Sequence, residues 1–247
     1  MKAGFIGCGA GLLAKAMEDA GIEIAWGIDI DELNLSSFHE NFPNAKIHLQ
    51  SITEFEELPE ADIWAVTLPC QSFSHANQNR EEDPTLILYA MYLIYKQKPK
   101  FWFVENSPNA AKWFPSTLRS KVFKMCQFGN KQQRKRMFLA NFDLGLLSPC
   151  ICKEHVPAVT KSGNGNGRYY GYTDYETALE RMGFKDKGLI LLGNQSQKKA
   201  QLGEGVVYEF GYFVAKKILE VVAGCNADCH KGIPPKTKVL GILPKIL

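Results

Sequence analysis

Short apolar runs alternate with amphipathic helical patterns over the first two thirds of this 247-residue chain. Strands that alternate with helices are typical of a doubly wound α/β domain with a mostly parallel sheet. In such a domain, ligands bind beyond the carboxyl ends of the strands. The residues that directly follow each strand are therefore the first candidates for function. The predicted strands are Ala3–Gly7, Ile24–Ile28, Asp62–Thr67, Phe101–Val104 and Met137–Asn141, and the predicted helices include Thr85–Gln97, Asp174–Met182 and Val206–Val222.

A glycine-rich turn follows the first predicted strand, and an acid closes the second. The turn holds Gly7, Gly9 and Gly11, and the acid is Asp29. Glycines let a cofactor approach the backbone, and an acid at this place can accept hydrogen bonds from ribose hydroxyls. The order of strand, glycines, helix and acid favours a nucleotide-type cofactor site over a plain strand–helix turn. These residues do not identify the nucleotide.

Two more strands are followed by side chains that can take part in catalysis. Cys70 follows a Leu-Pro turn, which would expose its thiol as a nucleophile, although a single cysteine is more often a small core residue. Glu105 directly follows Phe101–Val104, so it is expected at the same sheet edge as Cys70. A partly desolvated carboxyl group there can stay protonated and donate a hydrogen bond. The alternative for Glu105 is a carboxylate that caps a helix N-terminus.

A basic run precedes the last predicted strand, with the sequence KQQRKR at 131–136. Four positive charges in six residues suit phosphate contacts, although such a run can also be a solvated surface. If the segment is extended, Arg134 and Arg136 point to one side. The formal net charge of the chain is +3, which permits a nucleic-acid partner without requiring one.

In this order, these segments resemble the cytosine-C5 DNA methyltransferase family. The resemblance implies a Rossmann-like methyltransferase sheet, S-adenosylmethionine as cofactor, and methylation of C5 of cytosine in DNA, as in restriction–modification. The segments that carry it are Phe5-x-Gly7-x-Gly9 (cofactor motif), Pro69-Cys70-Gln71 (nucleophile motif), Glu105-Asn106 (Glu-Asn-Val motif), Gln132-x-Arg134-x-Arg136, the helix YETALERMGF at 175–184, and Gly203–Val207 (the final Gly-Asn-x-Val motif).

The resemblance also implies a role for each matched residue. Cys70 would add to C6 of a cytosine that has been flipped out of the duplex. Glu105 would bind the N3 and N4 edge of the base, and Arg134 and Arg136 would hold O2 and support the loop. The implied cofactor contacts are Phe5, Gly7, Cys8, Gly9, Asp29, Ile30, Ser51, Ile52, Pro69, Leu86, Glu204 and Val206.

Three positions depart from the family pattern. Ser51 stands where the family has Asp, Ser107 where it has Val, and Glu204 where it has Asn near the methionine end of the cofactor. These departures favour one alternative, a non-catalytic nucleic-acid-binding relative of the fold. The intact candidates Cys70 and Glu105 favour an active enzyme, for which an RNA cytosine-C5 methyltransferase is the other alternative.

The predicted organisation has four parts: a catalytic and cofactor-binding domain at 1–142, a reduced target-recognition insert at 143–190, a returning C-terminal helix at 191–224 and an irregular tail at 225–247. The insert contains a Gly- and Asn-rich loop, SGNGNG at 162–167, and is much shorter than the recognition domain of the family. We therefore expect short or relaxed sequence recognition, a single-stranded DNA or RNA substrate, or a partner protein that supplies target recognition.

The cysteines raise the prospect of a metal site. Cys150, Cys152, Cys225 and Cys229 could hold a structural zinc ion, with buried free thiols as the alternative. An odd number of cysteines, seven, in a chain of this size favours a reducing compartment. No apolar run reaches the ~18 residues of a membrane helix, and the start does not resemble a signal peptide. A cytoplasmic protein without a membrane partner is expected.

Overall fold

The computed structural model describes residues 1–69, 73, 83–114, 117–118, 120–132, 134–145, 147, 156, 158–160 and 174–224. Within these ranges the strands are β1 (Lys2–Ile6), β2 (Glu23–Asp29), β3 (Lys46–Leu49), β4 (Ile63–Val66), β5 (Phe101–Asn106), β6 (Lys121–Lys124) and β7 (Lys135–Ala140). They form one sheet in the order β3-β2-β1-β4-β5-β7-β6. The first five strands are parallel, and β7 lies antiparallel between β5 and β6. The prediction of a mostly parallel α/β fold is confirmed.

Helices cover both faces of the sheet, as expected for a doubly wound domain. In the described ranges they are α1 (Leu12–Asp19), α2 (Glu32–Asn41), α3 (Thr85–Gln97), α4 (Tyr175–Arg181), α5 (Gln195–Glu204) and α6 (Tyr208–Gly224). Alternate residues of β1 belong to different cores: Phe5 packs in the cluster that includes α1 and α6, and Ile6 packs in the cluster that includes α3. No helix in the described part of the chain combines the length and the apolar character needed to cross a bilayer.

The burial of each strand explains whether the strand could be predicted from the sequence. Every residue of β4 and β5 is buried, because helices cover both faces of these central strands. The edge strands β3 and β6 are short and mostly exposed, so they lack a continuous apolar run. These two strands and the helix α2 were not predicted from the sequence, and α5 was not distinguished from α6 within the predicted segment 191–224.

Close packing of α6 on α1 brings the last part of the chain to the carboxyl edge of the sheet. A Cβ atom on Gly211 would lie 2.8 Å from Cβ of Ala16, and one on Gly205 would lie 2.4 Å from Cδ2 of Leu12. Only glycine therefore allows the two segments to approach this closely. As a result, the turn after α5 lies beside the start of α1, where the glycine-rich turn ends.

Candidate active site

A cavity of about 510 Å³ lies at the carboxyl ends of β1, β2, β4 and β5. Its volume is in the range of small-molecule sites. The lining brings together predicted residues from both halves of the site, those for the cofactor and those for the substrate. These residues are Gly7, Cys8, Gly9, Asp29, Ile30, Ser51, Ile52, Pro69, Leu86, Glu105, Arg136, Glu204 and Val206.

Two predicted site residues that the structure describes lie outside this lining. Phe5 is only 1% exposed and packs in the core against Phe38, with ring centroids 6.3 Å apart. Arg134 is also buried and extends toward carbonyl groups outside the cavity. The structure therefore places Phe5 behind the glycine-rich turn and Arg134 beside the cavity.

The glycine-rich turn is tied to the end of β2 through its backbone. The N–H groups of Gly7 and Cys8 donate to the carbonyl of Ile28 at 2.9 and 3.0 Å. Gly7 has a φ of +71°, and a Cβ atom there would lie 2.9 Å from the carbonyl oxygen of Thr67. Gly9 has a φ of +52°, and a Cβ atom there would meet nothing within 4 Å. Gly7 therefore fits the turn against β4, whereas Gly9 leaves open space for a ligand.

Asp29 is fixed by hydrogen bonds at the end of β2. Its Oδ2 accepts from the N–H of Gly9 at 2.8 Å, and its Oδ1 accepts from the N–H of Asp31 at 3.0 Å. Burial raises the pKa of Asp29, and these backbone donors only partly offset the effect. The carboxyl group lies in the cavity lining. It is therefore positioned to accept from hydroxyl groups of a ligand.

Cys8 lies in the same turn, and its environment disfavours a thiolate. The side chain is 7% exposed. Burial raises the pKa of the Cys8 thiol well above its ordinary value, and the neighbouring Asp29 raises it further. Since the thiolate is the reactive form, Cys8 lines the cavity without being a good nucleophile.

An apolar wall forms the next part of the cavity. Ile30 is 67% exposed at the end of β2, and Ile52 is buried in a short 3-10 helix, Ile52–Glu54. Ser51 caps this helix: its Oγ accepts from the N–H of Thr53 at 3.3 Å, and its own N–H donates to Oε1 of Glu54 at 3.0 Å. Ser51 therefore keeps the segment in place, although it lacks the carboxylate that the family has at this position.

An ion pair forms the opposite end of the cavity. Nε of Arg136 lies 2.7 Å from Oε1 of Glu105, and the two side chains are 15% and 8% exposed. The antiparallel pairing of β5 with β7 sets Asn106 opposite Met137, which brings the start of β7 beside the end of β5. Charges with this little solvent interact strongly. The pair therefore holds the Glu105 carboxyl group in a fixed position.

Gln132 and Arg134 anchor distant parts of the chain beside the cavity. Arg134 donates to the carbonyl of Val159 at 2.8 Å and twice to the carbonyl of Gly203 at 3.1 Å. Gln132 accepts from the N–H of Val159 at 3.0 Å and donates to the carbonyl of Arg181 at 2.7 Å. These contacts make Arg134 a support for the end of α5, next to the cavity lining.

Cys70 lies outside the described residues, but residues on either side of it are described. Nδ2 of Asn106 donates to the carbonyl of Leu68 at 3.1 Å. Oγ of Ser107 donates to the carbonyl of Phe73 at 3.2 Å. Ser107, which replaces the family's Val, therefore makes a hydrogen bond that Val could not make. Both segments that flank Cys70 are thus attached to the end of β5.

The cavity lining also includes polar residues that were not predicted. Gln201, on α5, is only 3% exposed, and Asn34, on α2, donates from Nδ2 to Oε2 of Glu204 at 3.3 Å. Gln201 and Glu204 are three residues apart, so they share one face of a helix. This spacing would have identified Gln201 if α5 had been recognised in the sequence.

The four predicted zinc ligands, Cys150, Cys152, Cys225 and Cys229, lie outside the described residues. Among the residues that are described, no three His, Cys, Asp or Glu side chains are grouped so that they could hold a metal ion. The zinc site therefore stays a prediction.

Comparison with known proteins identifies a family that this chain resembles. Residues 5–113 match the model of the C-5 cytosine-specific DNA methylase family. The predicted resemblance to that family is confirmed. The matched residues contain the glycine-rich turn, Asp29, Cys70 and Glu105, whereas Arg136 and Glu204 lie beyond them.

Two curated relatives show the extent of the likeness. Type II methyltransferase M.AgeI of Thalassovita gelatinovora is 26% identical over 53% of this chain and 37% of its own length. Type II methyltransferase M1.ScrFI of Lactococcus lactis subsp. cremoris is 24% identical over 73% of this chain and 61% of its own length. The chain thus matches less than two thirds of either relative.

A solved structure supports the fold independently of sequence identity. The S. pombe Dnmt2 methyltransferase superposes with a TM-score of 0.70 at 13% identity, covering 90% of this chain and 99% of that chain. This likeness confirms the Rossmann-like methyltransferase fold.

Proposed function

We propose that this protein is an S-adenosylmethionine-dependent DNA cytosine-C5 methyltransferase in which Cys70 forms a transient covalent bond with the base. One observation carries the proposal: the Glu105–Arg136 ion pair and the glycine-rich turn with Asp29 line the same cavity. The ion pair suits recognition of a pyrimidine edge, and the turn with Asp29 suits a nucleoside cofactor. The confirmed family resemblance supports this combination.

The residues of the cavity fit S-adenosylmethionine. Gly9 leaves open space at the turn, Asp29 offers a fixed acceptor for ribose hydroxyls, and Ile30 offers an exposed apolar surface for an adenine ring. Ser51 and Leu86 complete the lining on this side. When bound, the cofactor would supply the methyl group that is transferred to the base.

On the substrate side, Glu105 binds the N3 and N4 edge of cytosine, and Arg136 holds the Glu105 carboxyl group in place. The thiolate of Cys70 forms a bond to C6, and the electrons of the C5–C6 double bond make C5 nucleophilic. After C5 has gained the methyl group, a base removes the C5 proton. The C5–C6 double bond then forms again, and the bond from C6 to Cys70 breaks. Because a stacked base cannot reach Cys70, the cytosine must first be flipped out.

Arg134 acts differently from Arg136 in this proposal. Its hydrogen bonds to the carbonyl of Gly203 support the end of α5. We therefore assign Arg134 to positioning of the cavity wall, and Arg136 to the substrate side.

The substrate is proposed to be DNA with a short or relaxed recognition site, because the segment at 143–190 is small. The type II methyltransferases among the relatives support a place in restriction–modification. A partner protein that supplies further target recognition stays a prediction.

The test is covalent trapping on oligonucleotides that contain 5-fluorocytosine, since fluorine at C5 cannot leave as a proton does. Duplex DNA, single-stranded DNA and RNA of the same sequence are incubated with protein and S-adenosylmethionine, and adducts are resolved by denaturing gel electrophoresis. We expect an adduct with DNA that the Cys70→Ser variant does not form. Unmodified cytosine and omission of the cofactor are the controls.

Two results would overturn the proposal in different ways. An adduct with RNA alone would indicate an RNA cytosine-C5 methyltransferase. No adduct with any of the three substrates, from a folded protein, would indicate a non-catalytic nucleic-acid-binding protein.

A further inference from the structure

Helix α3 carries a second apolar face in addition to the one that packs on the sheet. The residues that face the core are all buried: Ile87, Ala90, Leu93 and Ile94. The residues of the second face are all partly exposed: Leu88, Met91, Tyr92 and Tyr95. From Leu86 to Tyr95 the helix has no charged residue. Since a helix on the surface of a domain normally carries charged or polar residues away from the core, this second face indicates a contact with another chain.

The second face extends beyond what the core of this chain uses. Met91 and Tyr92 pack partly against the core, whereas Leu88 and Tyr95 belong to neither of the two core clusters that the described residues form. The four residues lie at positions i, i+3, i+4 and i+7, so they form one strip along the helix. With 13 residues, α3 is about 20 Å long. A strip of this spacing and length is suited to packing against a second helix.

The two ends of α3 carry opposite charges. Asp83 lies just before the helix, and Lys98 and Lys100 lie just after it, and all three are exposed. Oδ1 of Asp83 accepts from the N–H of Thr85 at 2.9 Å, which holds the carboxylate at this end. Lys98 and Lys100 form no ion pair with any acid that the structure describes. Two antiparallel copies of α3 would therefore bring opposite charges together, whereas two parallel copies would bring like charges together.

We propose that the second face of α3 binds the same face of a second copy of this chain, with the two helices antiparallel across a two-fold axis. A contact of this kind requires a surface that is complementary to itself. With the axis between Met91 and Tyr92, each Met91 meets Tyr92 of the other copy, and each Leu88 meets Tyr95 of the other copy. The centre of the contact is thus apolar.

The same arrangement accounts for the charges at the ends of the helix. It places Asp83 of each copy beside Lys98 and Lys100 of the other copy. Charges at the rim of an interface contribute mainly to specificity and to the rate of association. The apolar face therefore supplies the affinity, and the charged ends select the antiparallel orientation.

The position of α3 in the fold keeps this contact apart from the cavity. The helix begins at the carboxyl edge of the sheet, where Leu86 lines the cavity, and it ends near the start of β5 at the opposite edge. In the antiparallel dimer, the two cavities therefore open at opposite ends. Association needs neither cofactor nor substrate, so it is tested independently of the proposed function.

The test is sedimentation velocity of the full chain at about 1–300 μM protein. A single pair of helices buries less surface than the about 1,600 Å² of a standard interface, so we expect a reversible dimer with a dissociation constant of about 10–100 μM. Tyr92→Lys places a charge at the centre of the contact and should raise this constant at least about tenfold. Tyr212→Lys makes the same change on α6, at a tyrosine that is 37% exposed, and should leave the constant unchanged.

A second variant tests the charges without altering the apolar face. Lys98→Glu/Lys100→Glu leaves both ends of α3 acidic, so it should raise the dissociation constant about fivefold or more at low salt. Added salt should weaken the dimer of the wild type and strengthen the dimer of this variant, because it screens attraction in one and repulsion in the other. This variant also keeps the test informative if thermal melting shows Tyr92→Lys to be unfolded.

Three results would overturn the proposal. A wild type that stays monomeric over the whole range would show that the second face does not bind a second copy. A dimer that neither variant weakens would use another surface. If Tyr92→Lys alone weakened the dimer and the charge variant did not, the two helices would not be antiparallel.

Discussion

The two ends of the cavity are built in different ways. At the cofactor end, the position of Asp29 is set by backbone N–H groups of Gly9 and Asp31. At the substrate end, the position of Glu105 is set by one side chain, Arg136, which comes from a strand that is distant in sequence. The cofactor end therefore depends on main-chain geometry, and the substrate end depends on one ion pair across neighbouring strands.

This difference predicts that changes at the two ends have separable effects. A substitution in the ion pair should reduce turnover with little effect on cofactor affinity. A substitution in the glycine-rich turn should reduce cofactor affinity or stability. Three predictions test this separation, in order of decreasing expected effect.

The largest effect is expected from Glu105→Gln. Glutamine keeps the size of the side chain but removes the negative charge that pairs with Arg136 and stabilises the protonated base. We expect kcat for methyl transfer to fall by about 10²–10³, the usual cost of losing one such group. The affinity for S-adenosylhomocysteine should change less than about twofold.

A matched control is available for this change. Lys217 and Glu220, both on α6, form an ion pair with the same separation, 2.7 Å, but the side chains are 30% and 60% exposed. Glu220→Gln should leave kcat unchanged, since exposed pairs contribute little. If Glu105→Gln reduced cofactor affinity as strongly as kcat, the two ends would not be separable.

The same difference explains what could be predicted from the sequence. Glycine spacing and a following acid are local patterns, so the glycine-rich turn and Asp29 could be singled out from the sequence, and both line the cavity. Phe5, which was predicted beside them, packs in the core. The Thr85–Gln97 helix has the predicted bounds, and the buried strands β4 and β5 carry continuous apolar runs. Local sequence patterns thus predict the helices and strands whose side chains are buried in the core.

The contacts of the two arginines could not be predicted in this way. Alternation in an extended segment suggested that Arg134 and Arg136 share a side, but β7 begins only at Lys135. Arg134 contacts carbonyl groups of Val159 and Gly203, while Arg136 contacts Glu105. Their partners come from distant segments, and no local periodicity contains that information. The polar helix α5, with Gln201, was missed because it lacks a clear apolar stripe.

The next largest effects are expected at two glycines of the turn, Gly9 and Gly7, and they should differ. In Gly9→Ala, the methyl group would enter open space in the cavity, so we expect cofactor affinity to fall about tenfold or more while the left-handed backbone costs about 1–2 kcal/mol of stability. In Gly7→Ala, the methyl group would also press on the carbonyl of Thr67, so the stability loss should be larger, about 2–4 kcal/mol.

Urea unfolding and calorimetric titration with S-adenosylhomocysteine measure the two quantities for each variant. We expect Gly7→Ala to lose more unfolding free energy than Gly9→Ala does. We expect Gly9→Ala to lose more affinity for S-adenosylhomocysteine, for each kcal/mol of stability lost, than Gly7→Ala does. Equal rankings would show that the turn acts as a single unit, with no separate surface at Gly9 for the ligand.

The smallest effect concerns stability and pH at Asp29. Because burial raises the pKa of Asp29 in the folded protein, the folded state binds its proton more tightly than the unfolded state does. The charged form therefore costs stability, and this cost grows as pH rises from the ordinary pKa of aspartate through the raised value, then stays constant. Asp29→Asn removes this cost, but asparagine offers one acceptor oxygen where the carboxylate offers two, so one of the N–H groups of Gly9 and Asp31 loses its acceptor. The unfolding free energy of the variant relative to the wild type should therefore rise from low to neutral pH, as the charge cost of the wild type sets in, on top of a loss that does not depend on pH. Urea unfolding at a series of pH values measures this difference, and a difference that stayed constant over the series would show that the charge of Asp29 does not cost stability.

The same variant should bind S-adenosylhomocysteine more weakly, because one of the two acceptor oxygens is lost. At the cofactor end, the carboxyl group that binds the ligand therefore also lowers the stability of the folded protein. The backbone N–H groups that bind this carboxyl group offset only part of that cost.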